Sequence, residues 1–156
     1  MFIQIETNRL ALLLLWSITG SILLSFSSIS GAQVNNNITL PGNSSQNLQT
    51  QITNGSGTST TITGGTRAGT NLFHSFQSFS IGDKALAQFH NDGSSTTNIF
   101  ARVVGGEQSV INGTLQTTGY SNSQFNFGNA NLWFMNPSGI MFGSHAQLNV
   151  GGSATF

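Results

Sequence analysis

Between residues 98 and 104 the side chains alternate, with Ile99, Ala101 and Val103 on one face and Phe100, Arg102 and Val104 on the other. The same period of two runs through 146–150, where Ala146, Leu148 and Val150 oppose Gln147 and Asn149. A period of two marks strands with unlike faces. Across 130–153, three short apolar runs are parted by two compact breakers, Asn136-Pro137-Ser138-Gly139 and Gly143-Ser144-His145. Pro137 presets the torsion of a turn's second residue, Asn136 can bond its own following backbone, and Gly139 tolerates the exit geometry. A hairpin would want Asn-Gly or Asp-Gly in a two-residue loop. Short strands joined by short bends suit instead a chain coiling as a parallel β-helix.

The remaining pattern fits that architecture. Residues 33–66 are rich in Asn, Gln, Ser, Thr and Gly with isolated apolar positions, a pattern open to short edge strands, loop or disorder, and a first strand is expected at 36–40. From Asn71 the apolar signal strengthens. Leu72, His74, Phe76 and Ser78 fall on one side of a strand, and Phe73, Ser75, Gln77 and Phe79 on the other. Aromatics on both faces predict a strand covered on both sides. A turn is expected at 81–84, a strand at 85–90 and a second turn at 91–95. Residues 110–115 continue the core pattern, and 117–128 are expected as an inserted loop or small hairpin. The apolar spacing predicts a coil of roughly twenty to twenty-five residues.

Composition narrows the chemistry. The chain has 156 residues, 5% of them charged, no net charge, no cysteine and 12 phenylalanines. Beyond residue 32 its only cations are Arg67, Lys84 and Arg102, too few to neutralise a phosphate backbone, so nucleic acid is excluded as a partner. Phenylalanine and β-branched residues supply apolar surface that a disordered tract lacks, which makes one all-β domain the expectation. Without cysteine, stability must come from stacked side chains and backbone ladders.

Residues 10–26 form an apolar block, and Ser30-Gly31-Ala32 before Gln33 fits a signal-peptidase site. Residues 1–32 are therefore expected to be a cleaved signal peptide and 33–156 the exported domain, with an uncleaved membrane anchor as the alternative.

Catalysis and metal binding find no support. His74, His90 and His145 are dispersed, whereas a metal centre wants ligands at short spacing; they are expected to make ordinary hydrogen bonds. Polysaccharide cleavage needs positioned carboxylates, and beyond residue 32 the chain has only Asp83, Asp92 and Glu107, each beside glycine or in an expected turn. No metal, no cofactor and no enzyme activity are expected. Asn131, Asn136 and Asn149 are assigned to ladders of stacked asparagines at turns, and the Asn-X-Ser/Thr triplets at Asn37, Asn43, Asn54 and Asn112 follow from composition.

The segment Asn136-Pro137-Ser138-Gly139-Ile140, followed by Met141-Phe142-Gly143-Ser144-His145-Ala146-Gln147-Leu148-Asn149-Val150-Gly151-Gly152-Ser153, resembles the filamentous haemagglutinin family, in particular its amino-terminal two-partner secretion domain (haemagglutination activity domain) of cyanobacterial type. It matches that domain's Asn-Pro-Asn-Gly-Ile motif apart from Ser138. Residues 69–81 are similar to its early strand rich in asparagine and phenylalanine, and 98–106 with 111–115 to its next coil, so the resemblance spans about 34–153. It implies a right-handed parallel β-helix with an amino-terminal cap, here expected to be cut short at the carboxyl end. It also implies passage through the periplasm to the cell surface or medium, guided by an outer-membrane β-barrel transporter with periplasmic modules. By resemblance the recognition residues are Asn71, Phe73, Phe76 and Phe79 in one segment and Asn136, Pro137, Gly139 and Ile140 in the other, offered as strand edges to the partner. An alternative role is an adhesive surface protein that binds a glycan or another cell. Self-association is expected if nothing after residue 150 covers the last coil.

Overall fold

The computed structural model describes residues 35–43, 45–91, 96–121, 124–126 and 128–156. The expected signal peptide and residues 92–95 of the second expected turn lie outside the described residues. Every regular element described is a strand. Four precede the first full coil: β1 (Asn37–Thr39), β2 (Thr50–Thr53), β3 (Ser59–Gly64) and β4 (Thr66–Ala68). The coils then follow, each laid down in three sides. The first is β5 (Asn71–Phe76), β6 (Ser78–Ser80) and β7 (Leu86–His90); the second is β8 (Asn98–Val103), β9 (Ser109–Ile111) and β10 (Thr114–Ser121). After β11 (Gln124–Asn126), the third is β12 (Asn131–Met135), β13 (Ile140–Phe142) and β14 (Gln147–Asn149), and β15 (Ala154–Thr155) returns to the first side.

Pairing between coils is parallel throughout. On the first side β5, β8, β12 and β15 lie in sequence; on the second, Ile81 bridges to Ile111 and β9 pairs β13; on the third, β3, β7, β10 and β14 follow one another. Parallel strands joined by such crossovers wind right-handed because L-residue strands twist that way. The fold is a three-sided β-helix.

Its interior follows the alternation. Leu72, Ile99 and Leu132 form one inward column and Ile62, Phe89 and Thr117 another, all at most 3% exposed. The small Ala101 stands between His74 and Phe134 in register, which leaves room for the larger rings. Phe134 packs edge-on against Phe79 with centroids 4.8 Å apart, and Phe79 lies parallel to Phe89 at 6.0 Å.

Three expectations are corrected. The single strand expected through 71–79 breaks at Gln77, where the chain turns a corner. Gln77 N donates to Thr39 O at 2.9 Å, and the Gln77 carbonyl so crowds Gly105 that a Cβ there would lie 1.9 Å from it. The corner resets the alternation, so Phe79 points inward with Phe76, 5.0 Å away, rather than opposite it. Second, the first two coils are longer than twenty to twenty-five residues, whereas the third falls in that range, with Ala154 in register with Leu132, 22 positions before it. Asn98 bonds Asn71, 27 positions before it, and Asn131 bonds Asn98, 33 positions before it. The longer second coil carries the insertion expected at 117–128, which is a hairpin of Gly119 with Asn126 and Ser121 with Gln124; Thr117 and Thr118 still belong to the coil, opposite Phe89 and His90. Third, residues after 150 do reach the last coil: β15 pairs β12, and Phe156 packs edge-on against Phe142 at 4.9 Å.

The amino end is capped as expected, with each side covered by an antiparallel strand. β1 pairs β6, β2 pairs β3 and β4 pairs β5. Asn36, buried, ties the cap down: its Nδ2 donates to Thr60 Oγ1 and Leu86 O, both at 2.8 Å, and its Oδ1 accepts from Gly82 N at 3.2 Å. Because Phe79 is a core ring whereas Phe73 faces outward, Phe79→Ala is expected to cost about 3–5 kcal/mol and Phe73→Ala roughly 1 kcal/mol. Urea unfolding of the two variants measures this, and equal losses would contradict the corner at Gln77.

Candidate recognition segments

Residues 71–81 make up the first side and second side of the first coil. Asn71 begins a ladder: Asn98 Nδ2 donates to Asn71 Oδ1 at 2.9 Å, Asn131 Nδ2 donates to Asn98 Oδ1 at 3.0 Å, and Asn131 Oδ1 accepts from Ser153 N at 2.9 Å. Asn98 and Asn131 each donate through Nδ2 to the coil before and accept at Oδ1 from the chain after, which is what the spacing of parallel strands permits. Phe73 starts a second outward column. It stacks on Phe100 with centroids 5.0 Å apart, and Phe100 stacks on Trp133 at 5.9 Å. The cover expected over the outer face of this strand thus comes mainly from the next coil; Leu48 of the cap reaches the same groove. Phe76 and Phe79 are 0% and 1% exposed, so of the four candidates in this segment only Asn71 and Phe73 are in reach of solvent.

The second segment is a turn built as its residues dictate. Gly139 N donates to Asn136 O at 3.0 Å, Ser138 N donates to Asn136 Oδ1 at 2.9 Å, and Gly139 has φ +100°, a torsion that disfavours any side chain. Pro137 lies exposed at the turn's tip and Ile140 opens β13, half-buried against the core. Asn136 also reaches back one coil, donating to Glu107 O at 2.8 Å and Ser109 Oγ at 2.9 Å, while Ser109 N donates to Gly139 O at 3.0 Å. The two segments occupy the first and third levels of one corner, with residues 104–109 of the second coil between them; the inter-coil hydrogen bonds of 136–139 go to that middle coil.

The asparagine assignments divide. Asn131 is in a ladder, but its partners Asn71 and Asn98 were not foreseen. Asn136 is a staple between coils rather than a ladder member, and Asn149 lies opposite Gln116. Gln116 belongs to another polar column, donating through Nε2 to Gln88 Oε1 at 3.1 Å, while Gln88 donates to Thr61 Oγ1 at 2.8 Å. Among the histidines, His90 Nδ1 lies 3.3 Å from Thr118 Oγ1, and His145 Nδ1 lies 2.5 Å from Asp83 Oδ1, joining the first and third coils. No group of three metal-ligating side chains occurs among the described residues.

Removing the staple should weaken the corner. Asn136→Ala is expected to cost about 1–3 kcal/mol, because it strands acceptors as well as a turn contact, and Gly139→Ala about 1 kcal/mol through its torsion. Pro137→Ala, which touches only the unfolded chain's freedom, should lie near or below 1 kcal/mol. Denaturant midpoints give the order, and a cost for Pro137→Ala above that of Asn136→Ala would remove the staple's role.

Comparison with known proteins agrees with this architecture. A family model described as TPS secretion domain matches residues 32–155. No curated protein and no solved structure gives a match. The family is one of secretion and structure rather than of catalysis, and its members are exported. The chain, matched over almost its whole length and folded as a capped parallel β-helix, belongs to the TPS secretion domain family, the two-partner secretion domain of filamentous haemagglutinin-type proteins.

Proposed function

We propose that residues 71–81 and 136–140 are recognised by an outer-membrane β-barrel transporter before the coil forms, and that the β-helix closes only after translocation. The observation that carries this reading is the burial of Phe76 and Phe79 at 0% and 1% exposure. Rings so placed are beyond a partner's reach once the coil has closed, but in the extended chain each stands open between polar neighbours, Ser75 and Gln77 or Ser78 and Ser80, and suits addition to the edge of a periplasmic module's sheet. Coil-to-coil pairing also supports it, since each coil needs only the one before it and closure can propagate without distant contacts. The chain has no cysteine, so no disulfide can lock a loop ahead of passage. In this reading residues 1–32 are removed after Ala32 on entry to the periplasm.

The test is secretion from cells that also make the cognate transporter. Asn71→Ala, Phe76→Ala and Asn136→Ala are expected to lower secreted protein by about tenfold, with the secreted wild-type chain beginning at Gln33 on amino-terminal sequencing. Leu115→Ala, a core truncation outside both segments with a similar cost of about 3 kcal/mol, separates recognition from stability. If Leu115→Ala and Phe76→Ala reduce secretion alike, the segments serve folding alone.

An adhesive role, with a glycan or cell-surface target, has one supporting feature: the outward row of Phe73, Phe100 and Trp133, of which Trp133 is 40% exposed. Rings stacked on one another offer edges rather than faces to a sugar, which ranks this reading second; loss of cell binding in Trp133→Ala with export intact would promote it.

Self-association is supported by Met141, Phe142 and Leu148 on the third coil, between 43% and 47% exposed. Sedimentation over a concentration series should give a rising mass, and a constant monomer mass would dismiss it.

A further inference from the structure

His74 is a buried imidazole that neither the fold nor the proposed recognition uses. Its side chain points inward from β5 at 1% exposure, with the ring of Phe89 at 5.4 Å and that of Phe76 at 6.3 Å. Nδ1 lies 3.3 Å from Thr50 Oγ1 on β2 of the cap. That hydroxyl also accepts from Ser75 N at 3.3 Å, so it joins the ring and the β5 backbone to the cap. Nε2 is buried without a hydrogen-bond partner. A doubly protonated ring would thus find one hydroxyl of the cap as acceptor and none for its second N–H.

Among the described residues no carboxylate lies on the strands that neighbour the ring. On the elements around β5 the ionisable side chains are Arg67 of β4, Arg102 of β8 and His90 at the end of β7, none of them a carboxylate. The nearest described carboxylates stand at corners: Asp83 is engaged with His145, and Glu107 lies in the corner that Asn136 staples. Over the ring the cap is held by short pieces. It joins the coil through the turn at 45–49, where Leu48 and Gln49 have φ of 53° and 58°, torsions costly for such side chains. β4 contributes only a three-residue ladder. Gly65 lies against the ring itself, where a Cβ would fall 2.8 Å from His74 Cε1.

We propose that the seam of β2, the 45–49 turn and β4 is an acid-released latch: protonation of His74 drives its ring out of the core, opens the cap and bares the outer edge of β5 while the third coil stays folded. β4 is the strand that covers that edge, so its departure leaves Asn71–Phe76 with unpaired backbone groups. Burial lowers the His74 pKa from 6.5 to about 4. Closure is therefore fully favoured above pH 6.5 and weakens as pH falls from 6.5 towards 4, because only the open form takes up the proton. Between pH 7 and pH 5 the closed-to-open ratio should fall about 20-fold.

Hydrogen exchange of the full chain tests it. After correction for intrinsic rates, amides of 66–68 and 71–76 are expected to exchange about 20-fold faster at pH 5 than at pH 7, while those of 131–135 keep their protection. His74→Leu should abolish the difference and His145→Gln, which alters the exposed imidazole paired with Asp83, should leave it. Equal acceleration in all coils, or an undiminished pH effect in His74→Leu, would overturn the latch. Should His74→Leu fail to fold, the wild-type His74 imidazole proton resonance decides: it must titrate together with the amides of 71–76, and titration near 6.5 without their exposure would equally overturn it.

Discussion

The structure depends on the parallel ladder between successive coils. Strands about 4.8 Å apart in register set each side chain directly over the one a coil earlier, so a column is stable only if its members tolerate one another at that distance. The columns obey this. Asn71, Asn98 and Asn131 pass amide bonds upward; Phe73, Phe100 and Trp133 stack; Leu72, Ile99 and Leu132 fill the interior. Asn98 occupies the middle of its column with both a donor and an acceptor committed, so a hydrophobic residue there would break two bonds rather than one.

The same constraint explains the glycines at the corners. Where neighbouring corners cross, the backbone itself fills the space a side chain would need: a Cβ on Gly113 would lie 2.2 Å from Ala85 O, and one on Gly105 would meet the Gln77 carbonyl. Straight sides select for matched side chains, and corners select for their absence. The turn at 136–139 combines both demands, since Gly139 supplies the torsion and Asn136 the bond to the coil beneath.

That division decides what could be read from the chain. The alternation at 98–103 was legible because a straight strand with one buried face carries its geometry in every second residue, and the turn at 136–139 because Pro137 and Gly139 restrict torsions locally. The phase of Phe79 was not, since the corner at Gln77 has no glycine or proline of its own; the constraint lies in Thr39 and Gly105, far along the sequence. The length of the first two coils differs from the expectation for a related reason: hydropathy counts apolar runs but does not register polar corners or the hairpin beyond Thr118. Asn98 was missed because its partners are 27 and 33 positions away, and the pairing of His145 with Asp83 because 62 positions separate them. Of the candidate site, the local turn was visible, whereas the burial of Phe76 and Phe79 against one another depended on that corner.

The cap gives the stack a direction. Parallel strands can template a further parallel strand on either edge, but β1, β2 and β4 run antiparallel to the strands they cover, and β1 has its other edge taken by the backbone of Gly55 and Gly57, which accept from Ile38 N and Asn36 N at 3.0 and 2.9 Å. An antiparallel strand cannot continue a helical coil, because the next turn of chain would have to reverse its course. Coils therefore grow away from the cap only, in the order in which the chain is made. A segment that belongs to the first coil, as 71–81 does, is consumed by folding before any later one, and it remains available to a partner only for as long as the cap has not closed over it.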